Sequence, residues 1–163
     1  MNANSRALLT AILWGGLVAG TIDIGAACLI SGRGIPYILH VIAGGLLGKE
    51  ALAGGTGTAL LGLLLQELMG VIIAAVYVLA STRLTLLTRH WVPWGLAFGV
   101  VVYFVMNYVV LPLSAWHVVP PFNLAKFLPN MAAMLLFGLI VAFFAARRDG
   151  VAAGSARAAS PAI

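Results

Sequence analysis

Thr58 to Ala80 reads TALLGLLLQELMGVIIAAVYVLA, and between Ala59 and Val76 only Gln66 and Glu67 are polar. At 1.5 Å per residue this stretch makes a helix of about 34 Å, enough to cross a hydrocarbon layer of about 30 Å. A helix apolar on every side belongs in a protein core or in lipid. The rest of the chain decides for lipid. Of its 163 residues, 63% are hydrophobic and 8% charged, whereas water-soluble folds carry roughly 25% charged residues.

Working outward, three more stretches have the same character. Residues 7–31 read ALLTAILWGGLVAGTIDIGAACLIS, residues 92–111 read VPWGLAFGVVVYFVMNYVVL, and residues 128–146 read LPNMAAMLLFGLIVAFFAA. Asp23 interrupts the first run, which makes it a poor signal peptide and a better membrane span. Pro93 fits the first turn of the third span, Pro112 is placed to end it, and Pro129 fits just inside the start of the fourth. The predicted fold is all-α: a polytopic bundle of four transmembrane helices over 7–31, 58–80, 92–111 and 128–146, within a single domain of residues 1–148. The tail 149–163, DGVAAGSARAASPAI, has no apolar periodicity and is predicted to be disordered.

The first connection, GRGIPYILHVIAGGLLGKEALAGGTG over 32–57, is too apolar for a solvated loop. Residues 36–47 predict a helix of about 18 Å, too short to cross, which lies in the interface or re-enters the membrane against the bundle. The second, PLSAWHVVPPFNLAKFLPN, sets Trp116, His117, Phe122 and Phe127 at interfacial depth as an aromatic cap. With four crossings, one face receives Arg6, Arg83, Arg89, Arg147, Arg148 and Arg157, and the other Arg33, Lys49 and Lys126. That bias places both termini in the cytoplasm. The formal charge of +5 thus reports topology; no basic patch with interleaved aromatics points to nucleic acid.

A carboxylate at membrane depth is costly and marks function by default, so Asp23 and Glu67 carry the most information. Asp23 lies about 10 Å and Glu67 about 14 Å below the outer ends of their helices. Spacing of four puts Gly95, Gly99, Tyr103 and Asn107 on one stripe, and small residues in the other spans permit close helix packing. The site read from these residues is an outward-facing polar cavity of Asp23, Glu67, Gln66, Tyr103 and Asn107, with His40 as its cover. Two carboxyls sharing it could hold a proton between them. It suits binding or transport of a small ligand or cation. Two alternatives stay open: an accessory or structural subunit of a membrane complex, and a membrane enzyme acting on a lipid-like substrate.

Other chemistry finds less support. Ser31, His40 and Asp23 supply the residue types of a hydrolytic triad without a nucleophile elbow. The single Cys28 excludes an intrachain disulfide and a thiolate cluster. His40, His90 and His117 fall on both faces of the predicted topology, so no metal or haem site is expected and no cofactor is predicted. Met106, Met131 and Met134 read as packing filler. The partners expected are membrane lipids and either further copies of this chain or another membrane subunit, since four helices are few for alternating access and both hairpins share a span, outer loop, span plan.

Gly16–Ile24, GLVAGTIDI, and Ile42–Gly55, IAGGLLGKEALAGG, resemble the small uncharacterised four-helix inner-membrane proteins of bacteria, including the YagU-like group. The resemblance covers about residues 7–146. It implies the bacterial inner membrane and carries no activity with it.

Overall fold

The computed structural model describes the backbone of residues 3–119 and 121–158 and the side chains of 4–119 and 121–148. The described chain is all-helical. Helix α1 covers Ala3–Ser31, α2 Ile35–Leu47, and a 3₁₀ helix Gly48–Ala53; α3 covers Thr56–Arg83, and a one-turn α4 Leu86–Arg89. Helix α5, Trp91–Val105, passes through a π-helical segment, Met106–Val110, into the short α6, Leu111–Leu113, and α7 covers Leu124–Ala158.

Five helical stretches are long and apolar enough to cross a membrane: Asn4–Ser31, Ile35–Ala53, Thr56–Arg83, Trp91–Leu113 and Leu124–Arg148. The sequence reading counts four, because it weighs residues 36–47 without the 3₁₀ continuation. Many large side chains face outward, Leu29 at 86% and Leu46 at 62% exposure among them. On a soluble protein such a surface would drive aggregation; beside lipid tails it costs nothing.

Because lipid is as apolar as leucine, helix association here rests on close packing. Glycines supply it at two seams. Between α1 and α3, a Cβ on Gly16 would lie 2.5 Å from Val71 Cα, and one on Gly70 would lie 2.7 Å from the Gly16 carbonyl oxygen. Between α5 and α7, a Cβ on Gly138 would strike the Gly95 carbonyl, and one on Gly99 the Met134 carbonyl. Helix α1 also packs along α7, where Ala11, Ile12, Val141, Ala142 and Ala145 are buried in one cluster with Ala74, Tyr77 and Val78 of α3. These contacts run antiparallel, so the start of α1 and the last described side chains of α7 share one end of the bundle, the terminal end.

Helices α3 and α5 meet near that end through Tyr77 and Phe98, whose ring centroids are 4.9 Å apart. Toward the opposite end they diverge. Helix α2 packs there: Ile38 and Leu39 are buried with Ile24 of α1, and a Cβ on Gly62 of α3 would strike the Leu39 carbonyl. His40 Nε2 lies 3.1 Å from the Gly55 carbonyl oxygen, just before α3 begins.

Two proline expectations need correction. Helix α7 starts at Leu124, four residues before the predicted span, because Asn123 caps it: its Oδ1 accepts from the Ala125 and Lys126 amides at 3.0 and 3.3 Å. Pro129 is therefore inside the helix and not at its start. Pro112 also lies within helix, in α6, and the chain becomes extended only at Ser114. Pro112 has no N–H for the Tyr108 carbonyl. The π segment before it shifts the ladder, with the Leu111 amide donating to the Met106 carbonyl. At the other end of α7 the described backbone stays helical to Ala158. The expected disordered tail falls on 149–163, where side chains, and residues 159–163 altogether, lie outside the described residues.

Candidate functional site

Where α3 and α5 diverge, a cavity of about 90 Å³ is lined by Asp23, Gln66, Tyr103, Asn107 and Asn130, with Met69, Met106 and Met134 among its apolar walls. Four helices contribute. Asp23 comes from α1, Gln66 from α3, Tyr103 and Asn107 from α5 and its π segment, and Asn130 from α7. A second small cavity, about 120 Å³, shares Tyr103, Asn107 and Asn130 and reaches Pro121, Asn123 and Lys126. The polar space thus leads from Asp23 toward the connection before α7, at the α2 end of the bundle.

The hydrogen bonds give this cavity a one-sided chemistry. Gln66 Nε2 donates to Asp23 Oδ2 at 2.9 Å and to the Gly20 carbonyl at 3.4 Å. Asn107 Nδ2 donates to the Tyr103 carbonyl at 2.9 Å, and Asn130 Nδ2 to the Lys126 carbonyl at 2.7 Å. Each amide nitrogen donates to the protein, both N–H groups for Gln66 but only one for Asn107 and one for Asn130. Also without a hydrogen bond among the described residues are the side-chain oxygens of Gln66, Asn107 and Asn130 and Oδ1 of Asp23, beside the Tyr103 hydroxyl. With a carboxylate and more spare acceptors than donors, such a wall favours donors and cations over an anion.

Of the six residues singled out in the sequence, four line this cavity and two do not. Glu67 turns to the other flank of α1: its Oε1 accepts from Thr21 Oγ1 at 3.0 Å, and its Oε2 is buried without a hydrogen-bond partner among the described residues. Adjacent helical residues diverge by about 100°, so Gln66 and Glu67 straddle the line where α1 packs. His40 is held by the Gly55 carbonyl and does not line the cavity. The triad residue types go separate ways as well, since Ser31 Oγ donates to the Cys28 carbonyl and Asp23 is held by Gln66. Cys28 packs partly buried beside Ile24. Among the described residues no three His, Cys, Asp or Glu side chains converge.

Asn130 and Met69 are cavity residues that the sequence did not single out, and Met106 and Met134, expected as packing filler, line the cavity too. An asparagine N-cap at Asn123 was the available signal, because it moves the helix start upstream and makes Asn130 an interior residue. A further groove of about 440 Å³ lies between α2, α3 and the π segment and is lined mainly by apolar side chains, with Gln66, Asn107 and Ser114 as its polar members. Trp116 closes its upper edge. The indole lies where a Cβ on Gly44 would be and donates from Nε1 to the Val41 carbonyl at 3.0 Å, while the Ala115 amide donates to the Gly45 carbonyl at 2.8 Å. The Gly45 carbonyl, in the last turn of α2, thus finds a partner that the helix itself cannot supply.

No protein-family model, no curated protein sequence and no solved structure matches this chain.

Proposed function

We propose that this is a membrane-embedded binding protein for a small cation or hydrogen-donating ligand, held in the cavity of Asp23, Gln66, Tyr103, Asn107 and Asn130. The observation that carries this reading is the balance of the polar lining, the Asp23 carboxylate and three amide oxygens without hydrogen bonds and no lysine, arginine or histidine among the described lining residues. A carboxylate among unspent acceptors at membrane depth is held at a cost, and a cationic ligand offsets that cost. Transport would follow if the cavity also opens to the terminal end; binding alone requires only the opening toward residues 121–126.

The arrangement we propose in the membrane has four crossings. Helix α2 has 13 residues, about 20 Å, and it packs on Ile24 to Cys28 of α1, on Ala59 and Gly62 in the first turns of α3, and on the segment after α6. It enters beside the end of α1 and, through the 3₁₀ turn, comes back to the start of α3, where His40 meets Gly55. A re-entrant piece of this kind leaves both termini on one side, and the excess of arginine there supports a cytoplasmic location for them, in a bacterial inner membrane if the resemblance to the YagU-like group holds.

A second reading, a homo-oligomer, is favoured by the Thr21 and Glu67 pair, which sits on the lipid-facing flank of the α1–α3 seam with Thr21 exposed. Polar groups facing lipid are commonly covered by another helix.

The test of the main reading uses single cysteines in a Cys28→Ser background. With Asn107→Cys, a membrane-impermeant cationic methanethiosulfonate added from the periplasmic side should react, and faster than its anionic counterpart. Adding Asp23→Asn should erase that preference. Absence of reaction at position 107, or equal rates for both reagents with Asp23 intact, would overturn the reading.

A further inference from the structure

The 440 Å³ groove and the 90 Å³ polar cavity lie on either side of the same four side chains, Gln66, Met69, Met106 and Asn107. Two are unbranched thioethers, which re-pack with little strain. The other two are amides whose nitrogens donate to protein acceptors, Asn107 with one N–H to spare, and whose oxygens have no hydrogen-bond partner among the described residues. The groove side is apolar: Leu46, Leu68 and Ile72 are 62%, 52% and 49% exposed. Its volume lies within the usual range for small-molecule sites, roughly 300–1,000 Å³.

We propose that the groove and the cavity form one site for a single-chain cationic amphiphile, a long-chain primary amine whose hydrocarbon lies in the groove and whose ammonium head enters between Gln66 and Asn107 toward Asp23. This rests on the cation-binding reading of the cavity and names its ligand class. The head is assigned by charge and by hydrogen-bond sense. An ammonium has three donors and no acceptor, the complement of a wall of amide oxygens and a carboxylate. No lysine, arginine or histidine lines either space among the described residues, so a phosphate or carboxylate head would meet acceptors and like charge. The cavity is also far smaller than the groove, about 90 Å³ against about 440 Å³, which suits a compact head and a longer chain. Trp116, Gly44 and Gly45 hold α2 to the chain after α6, which keeps the groove a defined trough open sideways to lipid.

The experiment is binding of radiolabelled hexadecylamine to the full chain in phosphatidylcholine nanodiscs, with unlabelled hexadecanol, palmitate and methylamine as competitors. Hexadecylamine should bind saturably, and hexadecanol and palmitate should compete at least tenfold more weakly. Methylamine should compete poorly, because it lacks the chain. Asp23→Asn should weaken hexadecylamine at least tenfold, and so should Ile72→Trp, which fills the groove from an exposed position that does not line the polar cavity. Equal competition by hexadecanol, or full binding by both variants, overturns the proposal and leaves the groove as ordinary lipid boundary. If the Asn107→Cys labelling still shows its charge preference, only the amphiphile inference has failed; if that preference is absent too, the cation site falls with it.

Discussion

Asp23 shows how much of this protein's chemistry turns on one neighbour. Its Oδ2 accepts from Gln66 Nε2, and a buried acceptor that loses its donor retains the full cost of desolvation. Gln66→Leu is therefore expected to destabilise the fold by about 1–3 kcal/mol, whereas the double variant Asp23→Leu, Gln66→Leu should recover most of that loss. Reversible unfolding in mixed micelles measures both, and a double variant as unstable as the single one would show that the pair does not interact. Glu67 presents the opposite case, since one of its oxygens is buried with no hydrogen-bond partner among the described residues. Thr21→Val removes the donor to the other oxygen and should cost about 1–2 kcal/mol in the same assay; a neutral result would mean that lipid headgroups or water already serve it. The two carboxylates were legible in the sequence as the residues that border marking cannot explain. Their separation was not, because the side of α3 on which α1 packs is a matter of tertiary contact, and Gln66 and Glu67 fall on either side of it.

At the scale of elements, glycine governs closeness and the connections govern shape. Any side chain on Gly138 would meet the Gly95 carbonyl, and α5 would have to move off α7. Gly138→Val is expected to cost about 1–3 kcal/mol of overpacking and to widen the polar cavity that these helices frame, read as faster cysteine labelling at position 107. Unchanged stability and labelling would exclude a tight seam. Gly44→Val should displace the Trp116 indole and free the segment after α6, seen as loss of amide exchange protection at Ala115, whose N–H is held by Gly45; protection that survives would mean the two segments are tied elsewhere. The long apolar helices could be read directly, because hydropathy over some 20 residues is a local property. The π segment could not, since it arises from the conflict between Pro112 and a helix that continues past it. It sets the facing of Met106 and Asn107, and thereby much of the cavity wall.

For the whole molecule, the bundle divides into a sealed half and an open one. Near the terminal end, alanine, valine and the Tyr77 and Phe98 rings close the space between α3 and α5; near the α2 end that space stays open and polar. This asymmetry predicts that cysteines placed at Ala74 or Val78, both fully buried, resist water-soluble thiol reagents from either side under conditions where position 107 reacts. Reaction at those positions would indicate a through-path and favour transport over binding. The apolar runs of the sequence predict four crossings and the charges orient them, but residues 35–53 are long enough as helix to count as a fifth, and the contacts of α2 with one end of the bundle are what argue for re-entry.

A cation-receiving cavity at Asp23, open toward the α2 end, would be visible in a structure determined in lipid nanodiscs at a resolution that shows ordered water. Non-protein density, water or a bound cationic ligand, is expected within hydrogen-bonding distance of Asp23 and of the Asn107 side-chain oxygen, continuous toward Asn130 and Lys126. A dry, closed space there, with methionine side chains packed against Asp23, would contradict it.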